Sequence, residues 1–297
     1  MLRRLRRKFW TRQRYTLGVV DAVRSLTEVE FICPLAGRSV ATHDLPSSLV
    51  VPPGLYQYRD SVWDMSSGGI YRFALDGYVV RQVVVPTYDP VKDCELVQSI
   101  HGYGTLDDGL ASNRLLHMAT SRRVWVTCSR AAQLVVAILR SCGHSSRVVM
   151  GMTLEDWNTF NNGHTVVEVK LPDGWKCFDP TVGSWPLVDG RTVSVFELTD
   201  AILSRRDFTF SETTYGRAVS YALVNRRHKD FLIEQVLSSK AETIKWYRRV
   251  MQAPGILTTK AWHFCSSDEA NSRRLQAYAP EFMTHSASEF VRRFYET

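Results

Sequence analysis

The residues best suited to covalent chemistry in this sequence are a cysteine, a histidine and an aspartate, in that order along the chain. Cys128 directly precedes a long apolar segment, His164 follows an Asn-Asn-Gly run, and Asp179 directly precedes Pro180. A thiolate is a strong nucleophile, an imidazole can stabilise it and carry protons, and a carboxylate can orient the imidazole. These residue types predict acyl transfer from a thiol through a covalent thioester.

Cys128 is expected at the N-terminus of a buried helix. A helix is predicted over residues 129–141, its core at 131–139 is apolar nearly all round, and Gly143 is suited to end it. The unpaired backbone N–H groups and the positive end of the helix dipole would then face the sulfur. The same N–H groups could hold an oxyanion as a thioester forms.

His164 and Asp179 are expected on two neighbouring strands. Residues 165–170 and 175–178 have the composition of short strands, and a Pro-Asp-Gly turn separates them. If the strands pair as an antiparallel hairpin, His164 and Asp179 occupy the same end of it, about one pair from facing each other. The carboxylate would there orient the imidazole.

The stretch from about Trp125 to Leu198 resembles the transglutaminase-like cysteine superfamily. The features that carry the resemblance are Val126-Thr127-Cys128 opening a helix, the helix end at Gly143, the Arg147 strand leading to Gly151, the segment His164-Thr165-Val166-Val167-Glu168-Val169, and Trp175 four residues before Asp179-Pro180-Thr181. The resemblance implies an α+β fold with a papain-like core. In that core the helix of the nucleophile packs on an antiparallel sheet that supplies His164 and Asp179.

The resemblance also implies an activity, that of a hydrolase or acyltransferase without a metal or an organic cofactor. The superfamily includes crosslinking transglutaminases, peptide N-glycanases, small proteases and many bacterial members of unassigned role. Cys128 would attack a peptide, amide or ester carbonyl, His164 would act as base and then acid, and Asp179 would orient it. Ser129 and Arg130 stand where animal transglutaminases carry an aromatic neighbour, so glutamine-to-lysine crosslinking is not favoured.

Supporting residues are less well defined by the sequence. Three side chains remain open as the oxyanion donor: Gln98, Tyr103 and Trp125. Two aromatic residues of the loop before His164 are predicted substrate contacts, Trp157 and Phe160. Cys142 and Cys177, at a helix end and inside a strand, are expected to be buried and inert.

The chain divides by pattern into four segments. We predict a basic arm at 1–16, an α/β extension at 17–105, a transglutaminase-like core at 106–200 and a mostly helical region at 201–297. The extension is predicted to contain a helix at 17–29 and a hairpin at 70–85 that turns at Asp76-Gly77.

The net charge of +7 comes mainly from the basic arm, whose first fourteen residues carry seven positive charges and no acid. This pattern favours a solvated or docked tail; the alternative is an amphipathic helix on an anionic membrane surface, and nucleic acid is less favoured. Paired Cys/His metal spacings and the roughly 18-residue apolar run of a membrane span are both missing from the sequence. We therefore expect a cytoplasmic bacterial protein with reduced thiols, peripheral at the membrane if the arm binds there. The alternative to an enzyme is a non-catalytic module of the same fold that recognises a protein or an anionic surface.

Overall fold

The computed structural model describes residues 43–75, 78–158, 162–211 and 239–296. The predicted basic arm, the predicted helix at 17–29 and the predicted turn at Asp76-Gly77 lie outside these ranges. The described strands are β1 (His43–Asp44), β2 (Gly54–Tyr58), β3 (Ser61–Met65), β4 (Gly69–Leu75), β5 (Tyr78–Val85), β6 (His101–Tyr103), β7 (Val124–Val126), β8 (Ser146–Met152), β9 (Gly163–Leu171), β10 (Gly174–Phe178), β11 (Pro186–Val188), β12 (Arg191–Thr192), β13 (Phe208–Phe210), β14 (Ala253–Leu257), β15 (Trp262–Cys265) and β16 (Met283–His285). The described helices are α1 (Pro90–Val97), α2 (Ser112–Ala119), α3 (Cys128–Ser141), α4 (Val195–Leu203), α5 (Lys240–Val250), α6 (Glu269–Tyr278) and α7 (Ala287–Phe294), and a 3-10 turn covers Gln98–Ile100.

A six-stranded sheet in the order β10-β9-β8-β14-β15-β16 forms the centre of the molecule. All neighbouring strands in it are antiparallel except β15 and β16. Helices and mainly antiparallel strands thus occur together, in agreement with the predicted α+β class.

The central sheet is covered on both faces. Val167 and Val169 of β9 pack with the apolar residues of α3, whereas Val166 packs with residues of α4 and α5. Successive side chains of a strand point to opposite faces, so the near-continuous valine run of β9 is explained by burial on both sides. Burial of each such side chain contributes about 1.5–3 kcal/mol.

Ahead of Cys128, the structure contains the predicted hairpin, whereas one helix begins later than its sequence pattern does. The predicted hairpin is present as β4 and β5, with a bulge between Phe73 and Ala74. The apolar residues from Asp107 to Thr120 have the spacing of a helix, which predicts one over that range, but α2 begins only at Ser112. Asp107 is not helical because its carboxylate holds the chain ahead of Cys128, accepting from the Trp125 N–H at 2.9 Å and pairing with Arg122.

The mostly helical character predicted for residues 201–297 requires a correction. The described residues there include α5, α6 and α7, but also β13 and three strands of the central sheet. β14 pairs with β8, so the sheet extends well past residue 200. Its short strands, such as Ala-Pro-Gly-Ile-Leu, lack the alternation that identifies a half-exposed strand, because both faces are covered. Within the described ranges, no helix is long and apolar enough to cross a membrane.

Candidate active site

Cys128 is the first residue of α3. The sequence predicted a helix over residues 129–141 with this cysteine at its N-terminus. The preceding backbone is held by two carboxylates: Asp107 accepts from Trp125, and Asp108 Oδ1 accepts from the Thr127 N–H at 2.8 Å. The first turn of α3 carries no acidic residue. The positive end of the helix dipole therefore acts on the half-buried sulfur without a neutralising carboxylate in that turn.

His164 and Asp179 lie at the same end of the β9–β10 hairpin, as expected, but the predicted offset between them is wrong by one residue. Phe178 faces Val167, so Asp179 would face Val166, two residues from His164. A spacing of two residues keeps both side chains on one face of the sheet. The imidazole Nε2 and the Asp179 Oδ2 are 2.8 Å apart, and both side chains are buried.

Cys128 and His164 are close enough for each to shift the pKa of the other. Because Asp179 occupies Nε2, Nδ1 is the ring nitrogen left for the sulfur. Burial raises the pKa of Cys128, but the hydrogen bond and charge of His164 and the Thr165 N–H outweigh it, so the pKa lies below its ordinary value. Burial likewise opposes the imidazolium, yet Asp179 and Cys128 raise the pKa of His164 to about 10. These opposite shifts favour a thiolate–imidazolium pair.

Asp179 is fully buried and remains charged because three donors surround it. In addition to His164, the backbone N–H of Thr181 donates to Oδ1 at 2.7 Å, and the Tyr247 hydroxyl donates to Oδ2. Burial raises the pKa of this carboxyl, but the charge and hydrogen bond of His164, with Tyr247 and Thr181, hold it below its usual range. A buried carboxylate with this many donors is a stable anchor for the imidazole.

Two of these neighbours were missed by sequence reasoning. Tyr247 and Trp246 come from α5 and pack on the His164 ring, with ring centroids 5.6 Å and 4.5 Å away. Both are buried, whereas the adjacent residues of a surface helix normally point in different directions. Two neighbouring aromatic residues in an amphipathic helix were the available signal, but nothing in their spacing connects them to His164.

The close approach of α5 depends on glycine in β8. Gly151 pairs with His164 across the strands. A Cβ at this glycine would lie 2.5 Å from the Met251 Cα and 2.6 Å from the Val250 carbonyl oxygen, at the end of α5. Real Cβ atoms do not approach backbone so closely, so only glycine lets the helix rest over the histidine.

Two of the three candidate oxyanion donors lie together in one cleft. Gln98 and Tyr103 line one small cleft, whereas Trp125 is not part of its lining. The lining residues are Gln98, His101, Gly102, Tyr103, Val126, Ala131, Pro180 and Thr181. The cleft therefore lies between the residues next to Cys128 and those next to Asp179.

His101 is a further buried histidine that the sequence did not single out. Its Nε2 lies 3.3 Å from the Pro180 carbonyl oxygen, directly after Asp179. Burial lowers the pKa of His101 to about 4, so the ring is neutral at neutral pH. A neutral ring can donate to Pro180 and thereby support the backbone that carries Asp179.

The remaining predicted residues lie away from this arrangement or outside the described chain. Trp157 packs edge-on against Tyr278 at 4.1 Å and belongs to an apolar cluster under α6. It is not among the residues that line the cleft. Phe160 lies outside the described residues. Cys142 and Cys177 are buried, and burial raises the pKa of both thiols, as expected of inert cysteines.

Comparison with known families agrees with the sequence resemblance. A family model described as the transglutaminase-like superfamily matches residues 102–180. This range contains Cys128, His164 and Asp179, and ends well before Tyr247. Comparisons with curated proteins and with solved structures gave no match. Residues 102–180 of the chain are thus similar to the transglutaminase-like superfamily.

Proposed function

We propose that this protein is a cysteine-dependent hydrolase or acyltransferase of transglutaminase-like type, with a papain-like Cys128–His164–Asp179 triad. The observation that carries the proposal is a buried imidazole that lies 2.8 Å from a buried carboxylate and lowers the pKa of the Cys128 thiol. This is the arrangement that thiol acyl-transfer chemistry requires. The family match over residues 102–180 supports the same class of chemistry.

In the first half of the reaction, the Cys128 thiolate attacks the carbonyl carbon of an amide or ester. A C–S bond forms, and the carbonyl oxygen becomes an oxyanion. The bond to the leaving nitrogen or oxygen then breaks as the imidazolium of His164 donates its proton to that atom. The products are a thioester on Cys128 and the departing amine or alcohol.

The second half regenerates the thiolate. His164 accepts a proton from water or an amine as that nucleophile attacks the thioester carbonyl, and the C–S bond breaks. Asp179 keeps the ring oriented and stabilises its charged form in both halves. The N–H groups at the start of α3 would hold the oxyanion together with Gln98 or Tyr103, because both side chains line the cleft beside Val126.

Residue-resolved alkylation by iodoacetamide tests the activated thiol without a known substrate. Cys265 is the internal control, because it is also half-buried but burial raises the pKa of its thiol to about 11. At pH 7 we expect Cys128 to react at least about tenfold faster than Cys265, with its rate rising well below pH 8.5. Equal rates for the two cysteines would refute the proposal.

A Cys128→Ala variant separates an enzyme from a binding module of the same fold. With an activated ester such as p-nitrophenyl acetate, the wild type should release p-nitrophenol with a burst as the acyl group is transferred to sulfur. The variant should lose this release about 100-fold or more, whereas Cys265→Ala should retain it. Unchanged release in a folded Cys128→Ala protein would contradict catalysis at this residue.

A further inference from the structure

Two arginines from distant parts of the chain meet at Ser99, outside the cleft described above. Arg72 lies on β4 and donates from Nη2 to the Ser99 hydroxyl at 3.1 Å. Arg123, directly before β7, donates from Nε to the Ser99 carbonyl oxygen at 3.0 Å. Because both guanidinium groups are bonded to one residue, two positive charges are held next to each other.

Neither charge is balanced by an acid among the described residues. In these ranges Arg72 and Arg123 form no ion pair, and their hydrogen-bond acceptors are Ser99 and the neutral Gln82. Burial lowers the pKa of Arg72 to about 10, and burial with the charge of Arg72 lowers that of Arg123 to about 9. Both groups therefore remain charged at neutral pH.

Much of the donor capacity of this pair is unused. An arginine carries five N–H donors, of which Arg72 uses two and Arg123 uses one. Both residues are half-buried. Adjacent like charges in a partly desolvated position are unfavourable, and an oxyanion bound between them would supply both countercharge and acceptors.

We propose that Arg72 and Arg123 form a binding site for a phosphate-type oxyanion. A dianion matches the two positive charges, and the planar forks of two guanidinium groups are well suited to phosphate oxygens. Neither arginine is among the residues that line the cleft described above, although the charge of Arg123 contributes to the low pKa of His101 there. The proposal therefore does not depend on the activity of Cys128.

The test is thermal unfolding of the full chain in inorganic phosphate and in sodium chloride of equal ionic strength, at pH 7.5. We expect about 10 mM phosphate to raise Tm by about 2 °C relative to chloride, because a ligand of the folded state stabilises it. Acetate, a monoanion, should raise Tm by less than half as much. No difference in Tm between phosphate and chloride would overturn the proposal. The same result is expected if another part of this chain already occupied the site, and it would overturn the proposal in that case too.

Variants assign the effect to the pair. Arg72→Gln and Arg123→Gln should each lose at least half of the phosphate-induced shift, and Arg123→Lys, which keeps the charge, should retain more of it than Arg123→Gln. Arg140→Gln is the matched control, since Arg140 is exposed and donates only to the Ser146 carbonyl oxygen. A full shift in both glutamine variants would assign phosphate to another site and refute the proposal.

Discussion

The two ends of α3 carry cysteines in opposite electrostatic surroundings. Cys128 begins the helix and meets its positive end, whereas Cys142 follows the last residue and meets the negative end. His164 interacts with Cys128, and the pKa of the Cys128 thiol lies below its ordinary value. Burial and the nearby Asp93 raise the pKa of Cys142 to about 12. One helix thus presents a favoured thiolate at one end and a neutral thiol at the other.

This comparison shows that burial alone does not decide the reactivity of a cysteine. Burial raises the pKa at both ends of the helix, and the difference comes from the partners that each sulfur meets. His144 lies two residues after Cys142, and its Nε2 is 2.7 Å from the Asp93 Oδ2. The position of a histidine relative to sulfur is therefore the variable to change first.

The largest expected effect is that of His164→Ala on Cys128. Without its donor, the thiol should behave more like Cys142, because burial is then opposed only by the helix end and the Thr165 N–H. The pKa of the thiol should therefore rise, and the labelling rate at pH 7 should fall by about tenfold or more. The measurement is the iodoacetamide labelling rate of Cys128, with Cys265 as the internal reference.

His164→Gln provides a second variant that keeps the size of the side chain. This variant should lower the labelling rate of Cys128 by a similar factor and leave the labelling rate of Cys265 unchanged. If Cys128 stayed as reactive in either folded variant as in the wild type, the contrast between the two ends of α3 would be due to the helix alone.

A smaller effect is expected for Tyr247→Phe, which removes one donor from Asp179. A buried hydrogen bond to a charged group contributes about 1.5–3 kcal/mol, so the free energy of unfolding at pH 7 should fall by about 2 kcal/mol. The folded pKa of Asp179 is depressed. This stability is therefore fully present above the unfolded pKa of about 3.9 and is lost as the pH falls through the folded value.

Urea unfolding at pH 7, at pH 5 and at successively lower pH measures this dependence. The difference between wild type and Tyr247→Phe should be constant from pH 7 to 5 and shrink where the pH falls through the lowered folded pKa of Asp179. Tyr278→Phe is the control, because that ring is 51% exposed and should change stability by less than about 0.5 kcal/mol. A pH-independent difference would mean that Tyr247 contributes through packing and not through the charge of Asp179.

The smallest effect is expected for Cys142→Ala. Loss of one buried sulfur leaves a small cavity and should cost about 1 kcal/mol in the free energy of unfolding. The labelling rate of Cys128 should not change, because the two thiols are at opposite ends of a 14-residue helix. Slower labelling of Cys128 in this variant would show that the two ends are coupled.

The local sequence pattern was sufficient to predict the helix and the strands that carry the three candidate catalytic residues. The apolar run of α3, the valine-rich β9 and the Pro-Asp-Gly turn before β10 each identify themselves within a few residues. Their order then brings Cys128, His164 and Asp179 together, apart from the offset of the hairpin. The exact register depends on where the turn begins, which composition does not specify.

Long-range packing explains what the sequence did not reveal. Tyr247 bonds to a residue 68 positions earlier, and Arg72 meets a serine 27 positions later. Neither contact has a periodic signal, because it depends on how α5 and β4 dock. The strands β14–β16 were missed for the same reason: they become strands by adding to an existing sheet edge at β8.

The position of α5 in the chain has a consequence for biosynthesis. Cys128, His164 and Asp179 leave the ribosome well before Tyr247 and before β14, which pairs with β8. A nascent or truncated chain that ends before residue 239 has the nucleophile but lacks the aromatic cover of its histidine and half of the central sheet. Residues beyond 239 must therefore be synthesised before the surroundings of Cys128 and His164 are complete.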